Sequence, residues 1–305
     1  MSVRIGIGSA FLPTIPLSAF HDWIALCEDI GIDSIWPSDY LLQHNLEALT
    51  VIAAIAARTT RMRLGTNALL LPLRDPLLLA KQIATIAYLS DGRFFPSFAL
   101  AAPWDPAWAA SWLTSGHRGD RADEAIALIR ALLGQEEVTF AGSHYRYEGR
   151  GVEPRPRVPV SIWVGGESAG AIRRTATLGD GWLGAMSPPD RAGSVVAKIN
   201  AALETTGRTI ERDHYGVSLP FRIGEADNTA VVAVHRRLAA RIDLGEGIPE
   251  AFAVGTVDAI IATLRRYVAA GVSKFILLPI VTDGDDLIDQ TRRLARDILP
   301  VVEGP

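Results

Sequence analysis

The stretch Ser161–Gly181, SIWVGGESAGAIRRTATLGDG, spells out one complete local unit. Ile162, Trp163 and Val164 form a short apolar, β-prone run that stops at Gly165-Gly166. A helical pattern follows, with Ala169, Ile172, Ala176 and Leu178 spaced to bury one face. The two glycines permit positive φ and close approach of the backbone. Glu167 and Ser168 stand where a helix leaves its first N–H groups unpaired, and Ser168 is the expected N-cap. A strand, a Gly-Gly turn and a helix start in succession make an anion site, because backbone donors and the helix dipole both favour phosphate. The alternative is a tight βα turn in which the glycines serve geometry alone.

The same unit recurs along the chain. Strands are expected at Val3–Gly8, Ser34–Pro37, Met62–Leu70, Arg93–Leu100, Asp180–Gly184, Tyr215–Arg222 and Lys274–Pro279. Helical patterns lie between them: Pro16–Ile30, with Gly31 as its stop, Glu47–Arg58, Leu77–Leu89, Asp190–Thr205, Asn228–Ile242, Thr256–Ala270 and Asp285–Leu299. About eight βα units with continuous apolar strands predict an α/β fold, a closed (β/α)8 TIM barrel. An open doubly wound sheet is the alternative, but GIGSAFLP after the first strand lacks the third glycine of a dinucleotide fingerprint. No low-complexity linker occurs, so residues 1–305 read as one domain. The region of about 101–157 reads as an insertion after strand four, with a helix near Arg121–Leu133 and a hairpin over Val138–Gly149.

Composition narrows the function classes. Of 305 residues 49% are apolar and 21% charged, enough for a sizeable core. The net charge of −4 is scattered and no basic block occurs, which argues against nucleic acid or an anionic membrane as partner. The apolar run Ala68–Leu73 is broken by Pro72 and Arg74, far short of the roughly 20 residues of a bilayer span. The chain opens on VRIGIG without a basic leader, and its single cysteine, Cys27, lies in a helical pattern; a soluble, cytoplasmic protein is expected. No cluster has zinc-ligand spacing and no Gly-x-Ser-x-Gly elbow is present, so neither a metal nor a serine nucleophile is expected.

In a barrel the site lies at the carboxyl ends of the strands. That rule selects Ser38 and Asp39, Asn67, Asp105, Gly165–Ser168 and Met186–Ser187. Trp104, Trp108 and Trp112 stripe one helical face, either as core or as an apolar wall for a substrate. Arg118 and Arg121 are expected to pair with Asp120 and Glu124 on a helix surface, beside His117, and His144 sits in the hairpin.

Three segments in order carry a resemblance to a known family: RLGTNALLLPLRDPLLLAKQIATI with LSDGR, RADEAIALIRALL with PRPRVPVSIWVGGES, and RRTATLGDGW. Together with AGVSKFILLP they cover nearly the whole chain. The chain resembles the bacterial luciferase-like superfamily, whose members are (β/α)8 barrels that bind FMN or the 8-hydroxy-5-deazaflavin coenzyme F-420. Its LPLRDP turn and GRFFPSF strand are more similar to the deazaflavin-dependent oxidoreductases. The resemblance implies a strand-three bulge with a non-prolyl cis peptide at Asn67-Ala68 that backs the cofactor ring. It implies a phosphate turn at Gly165, Gly166, Glu167 and Ser168, with the backbone of Glu167 rather than its carboxylate facing the ligand. It places Asp39, a candidate for both cofactor binding and catalysis, near the ring, and Tyr40, the second candidate catalytic residue, where several relatives have a histidine. A phenol can donate a proton, although its ordinary pKa near 10 makes it a poor general base. FALAAPWDP departs from the glycine-rich turn after strand four and lacks the family's glutamate acid, unless Asp105 replaces it.

The resulting expectation is an oxidoreductase that passes hydride between coenzyme F-420 and a small, apolar organic substrate. An FMN-dependent monooxygenase and a non-catalytic flavin-binding barrel are the alternatives. The apolar helices Glu47–Arg58 and Leu77–Leu89, with the resemblance, suggest a homodimer.

Overall fold

The computed structural model describes residues 2–100, 117–225, 227–240 and 249–304. Among the described residues, thirteen strands alternate with helices. The strands are β1 (Arg4–Gly8), β2 (Ser34–Trp36), β3 (Arg63–Gly65), β4 (Leu69–Leu70), β5 (Phe94–Phe95), β6 (Ser97–Ala99), β7 (Glu137–Ala141), β8 (Arg146–Arg150), β9 (Trp163–Gly165), β10 (Gly181–Ala185), β11 (Tyr215–Ile223), β12 (Ala253–Gly255) and β13 (Lys274–Pro279). The helices used below are α1 (Leu17–Asp29), α2 (Ala48–Ala56), α3 (Pro76–Leu89), α4 (Arg118–Gly134), α5 (Ala169–Leu178) and α6 (Pro189–Thr206).

The large sheet is strongly curled, in the order β4-β6-β9-β10-β11-β13-β1-β2-β3-β5, with β12 beside β11. The pairs along it run parallel. β7 and β8 form a separate antiparallel hairpin.

The expected third and fourth strands are each interrupted. Gly65 pairs with Phe95 and Leu69 with Phe98, so Thr66, Asn67 and Ala68 stand opposite only Pro96 and Ser97. One extra residue on one side is a β-bulge, which bends the strand and re-aims its side chains. Side chains take over the broken ladder here. The Thr66 hydroxyl donates to the Ser97 carbonyl (3.1 Å) and accepts from the Ser97 N–H (3.0 Å), while the Ser97 hydroxyl donates to the Thr66 carbonyl. The sequence pattern also missed β12, and it started α4 three residues late.

Apolar side chains separate into two clusters. The larger packs the helices onto the sheet; α2, for example, buries Leu49, Val51, Ile52 and Ile55. The second holds Trp36, Phe95 and Trp163 with Leu183 and Leu278. Its three rings meet edge-on or tilted at 4.9–5.8 Å between centroids, geometry in which aromatic pairs attract. A β-carbon on Gly65 would stand 2.5 Å from the Trp36 ring, so that strand position must be glycine for the indole to lie flat. Trp163 opens β9 and Gly165 closes it at the carboxyl end, as Gly8 closes β1 and Ala185 closes β10.

Candidate functional site

A cavity of about 500 Å³ lies at those carboxyl ends. Asp39, Tyr40, Asn67, Ala68, Gly165, Gly166, Glu167 and Ser168 all line it, although they come from three distant parts of the chain. Phe11, Leu70, Leu100, Leu183 and Leu278 give it an apolar wall. Met186 lines it as well, with φ at +50° and its N–H donating to the Ser218 carbonyl. Ser38 and Ser187 are buried and lie off its lining. A smaller cavity of about 260 Å³ beside α1 and α2 shares no residue with it.

The peptide bond between Asn67 and Ala68 is cis. The Asn67 N–H donates to the Pro37 carbonyl (2.9 Å), which ties the bulge to the loop carrying Asp39. Asp39 has both carboxylate oxygens engaged. Oδ2 accepts the Leu70 N–H at 2.9 Å, and Arg74 Nη2 donates to Oδ1 and Oδ2 at 2.8 and 2.9 Å. The same Arg74 nitrogen reaches Glu47 Oε1 at 2.9 Å. With a fully buried carboxylate held this way, Asp39 fixes the exit of the bulge; it is not an open acid or base. Arg74 was missed in the sequence, because nothing local to LPLRDP shows a partner 35 residues upstream.

Across the cavity, β9 runs into the glycine turn and α5. Ser168 is the N-cap, accepting the Ala171 N–H at 3.2 Å. The N–H groups of the first helical turn have no acceptor within the helix, and this end of the helix carries partial positive charge. Gly166 has φ at +113°; its N–H is already donated to the Leu183 carbonyl, and its carbonyl accepts from the buried Trp182 Nε1 at 2.8 Å. Trp182 therefore pins the turn from below, a role that its place in an apolar strand conceals. The Glu167 carboxylate forms an ion pair with Arg191 of α6, which turns it toward that helix.

Neither His117 nor His144 lines the cavity; their rings face each other at 5.9 Å. The expected surface pairing of Glu124 is replaced: it accepts the backbone N–H groups of Ser143, His144 and Tyr145 and closes the hairpin turn. Arg121 lies over the Tyr145 ring, whereas Arg118 lines the cavity. Trp104, Asp105, Trp108 and Trp112 lie outside the described residues. Among the described residues, ligand atoms of Glu211, Asp213 and His214 come within 4.8 Å of one another, and none of the three lines this cavity. Among them, too, no helix is long and apolar enough to cross a membrane.

An F-420-dependent glucose-6-phosphate dehydrogenase from Kineococcus radiotolerans is 30% identical over 198 residues, 62% of this chain and 59% of that protein. The matched region spans about three fifths of the length of the first curated relatives. The monooxygenase RslO1 from Streptomyces bottropensis has a similar structure, with a TM-score of 0.82 at 20% identity over 97% of this chain and 99% of that one. An F-420-dependent secondary alcohol dehydrogenase, solved with an F-420–acetone adduct, gives 0.81 at 17% identity over 99% of both chains. Residues 4–244 match the family described as luciferase-like monooxygenase, and the chain belongs to that family.

Proposed function

We propose that this protein is an F-420-dependent oxidoreductase that passes hydride between the deazaflavin and a small, apolar organic substrate. The observation that carries this reading is the placement of the Asn67-Ala68 bulge and the Gly165–Ser168 turn on one cavity of about 500 Å³. The residues suit a flavin-sized ligand with an acidic tail. The bulge offers a fixed backbone wall for a planar ring, and the start of α5 offers open N–H donors for an anion. A relative and a structural neighbour that carry F-420 dependence in their names support the same reading.

The bound deazaflavin would supply the redox step, hydride transfer at C5. The chain's own work is orientation, exclusion of water and handling of a proton. Asn67 and Ala68 would back the ring, held in place by the Asp39–Arg74 pair and the Thr66–Ser97 clamp. Gly165 to Ser168 would hold the phosphate end. Phe11, Leu70, Leu183 and Leu278 would keep water from the reacting face and favour an apolar substrate. Both lining carboxylates, Asp39 and Glu167, are paired with arginines. The Tyr40 hydroxyl, which also lines the cavity, would hold a substrate oxygen and donate a proton to it.

Taken as single bent strands, β3–β4 and β5–β6 would join the two ends of the sheet path into a closed eight-stranded barrel, one domain with residues of about 101–157 inserted after strand four. Leu78 (59% exposed) and Tyr88 (67%) on α3 support a homodimer through this face. An FMN-dependent monooxygenase is the second reading, favoured by the likeness to the monooxygenase RslO1 and to a Baeyer–Villiger monooxygenase solved in complex with FMN. Titration with F-420 and with FMN, followed by ligand fluorescence, decides between them. Micromolar binding of F-420 is expected; binding of FMN alone would overturn the assignment.

A further inference from the structure

We propose that the cavity of about 260 Å³ beside α1 and α2 is a second small-molecule site, which takes a compact aromatic molecule with one hydrogen-bond donor, of the phenol type. It shares no lining residue with the flavin-sized cavity, and the inference does not rest on the flavin reading. Its wall is made by Phe20 and Trp23 of α1, Ile35 of β2, and Val51 and Ile55 of α2. The Phe20 and Trp23 rings are tilted by 56° with centroids 6.1 Å apart, a wall against which a further ring can pack edge or face. Leu17 (68% exposed) and Leu46 (60%) also line the cavity, which gives it an apolar entrance from solvent. A cavity of about 150 Å³ lined by Leu, Ile and Phe holds benzene, so this one has room for a substituted ring.

Two loops stitched together supply the polar side. The loop after β1 carries Pro13 and Pro16, which have no N–H to give, and Pro16 is extended at φ −57° and ψ 146°. The Ser9 carbonyl accepts the Leu12 N–H at 3.3 Å and Asn45 Nδ2, from the loop after β2, at 3.2 Å. His44 Nε2 lies 2.8 Å from the Leu12 carbonyl and therefore carries its proton on that nitrogen. A carbonyl only accepts, so the Ser9 contact fixes which end of the Asn45 amide is nitrogen and which is oxygen. Asn45 lines the cavity, and its Oδ1 is shut from solvent with no hydrogen-bond partner among the described residues. A buried acceptor without a donor is costly; a ligand hydroxyl placed on it removes that cost while the ring meets the apolar wall. The same two loops bring Phe11, Asp39 and Tyr40 to the larger cavity, so the two sites are neighbours across one pair of loops.

The test is calorimetric titration of the full chain with phenol and with toluene, two molecules of similar size that differ in the donor. The parent is expected to bind both. Asn45→Leu should weaken phenol tenfold or more and leave toluene within threefold. Val51→Phe, which fills the cavity, should weaken both tenfold or more; if that variant fails to fold, the Asn45→Leu ratio decides alone. Ala185→Trp, placed at the exposed end of β10 on the larger cavity, should change neither. No binding by the parent overturns the proposal, as does an equal change for phenol and toluene in Asn45→Leu. Loss in Ala185→Trp would put the probes in the larger cavity and overturn it too. Binding that emerges only after Leu78→Glu with Tyr88→Glu has separated a dimer would assign the cavity to a second copy of this chain and likewise overturn it.

Discussion

Gly166 has φ at +113°, and a β-carbon there would stand 3.3 Å from that of Ala171. Gly166→Val therefore carries roughly 1–2 kcal/mol of backbone strain and crowds the turn. Because the Gly166 N–H is already bonded to the Leu183 carbonyl, the loss falls on the shape of the turn and on its approach to ligand. Cofactor affinity is expected to fall at least tenfold with the fold intact, measured by fluorescence titration beside circular dichroism. Unchanged affinity in a folded variant would remove the phosphate from this turn. Asp39 gives a second test. Asp39→Ala removes one of the two carboxylates on Arg74 and the acceptor of the Leu70 N–H, and should cost about 1–3 kcal/mol in urea unfolding. The double variant Asp39→Leu with Arg74→Met should cost less than that single change; additive costs would mean that the pair is not coupled.

At the scale of elements, the loop entering β3 depends on a carboxylate from the end of α1. Glu28 accepts the N–H groups of Thr60 (2.8 Å), Arg61 (2.7 Å) and Met62 (2.9 Å). Partial burial pushes its pKa up, but these bonds outweigh burial and hold it below the usual carboxylate value. A folded pKa below the unfolded one stabilises above the unfolded value, near 4.3, and that contribution is lost as pH falls through the folded pKa. Glu28→Gln should therefore lower stability at neutral pH by about 1 kcal/mol after solvent screening. Its acid limb below about pH 4.5 should be flatter than the parent's; parallel limbs in urea melts between pH 3 and 7 would exclude this linkage. The bulge offers another handle. Thr66→Val removes the donor to the Ser97 carbonyl and the acceptor of the Ser97 N–H within a buried site, and should loosen strand three enough to weaken ring binding severalfold. Ring affinity equal to the parent's would show that the clamp does not support the wall.

At the scale of the whole molecule, α2 and α3 behave differently from the expectation drawn from their apolar composition. Most apolar side chains of α2 are buried within the chain, and the exposed ones concentrate on α3 and the loop before α2, including Leu46, Leu77, Leu78 and Tyr88. If a homodimer forms through this face, parent protein should show twice the chain mass by light scattering at micromolar concentration, and Leu78→Glu with Tyr88→Glu should reduce it to one. A parent that is already monomeric would remove the homodimer.

The succession of strands and helices was legible because it rests on local chemistry: 3.6-residue apolar periodicity, Ser168 capping α5, Gly31 closing α1. The glycine turn was legible for the same reason, and the cis position at Asn67-Ala68 through family resemblance alone. What decides the use of each polar group was not legible, because its partner lies far along the chain. Arg74 meets Asp39 across 35 residues, Trp182 bonds Gly166 across 16, and Arg174 reaches Gly119 across 55. Those distances turned Asp39 from an open carboxylate into a paired one and put Arg118 at the cavity instead of leaving it a surface residue. Periodicity and capping act within a turn or a strand and are written in adjacent residues. Burial, ion pairing and register are set by which elements meet, and only the folded sheet brings those elements together.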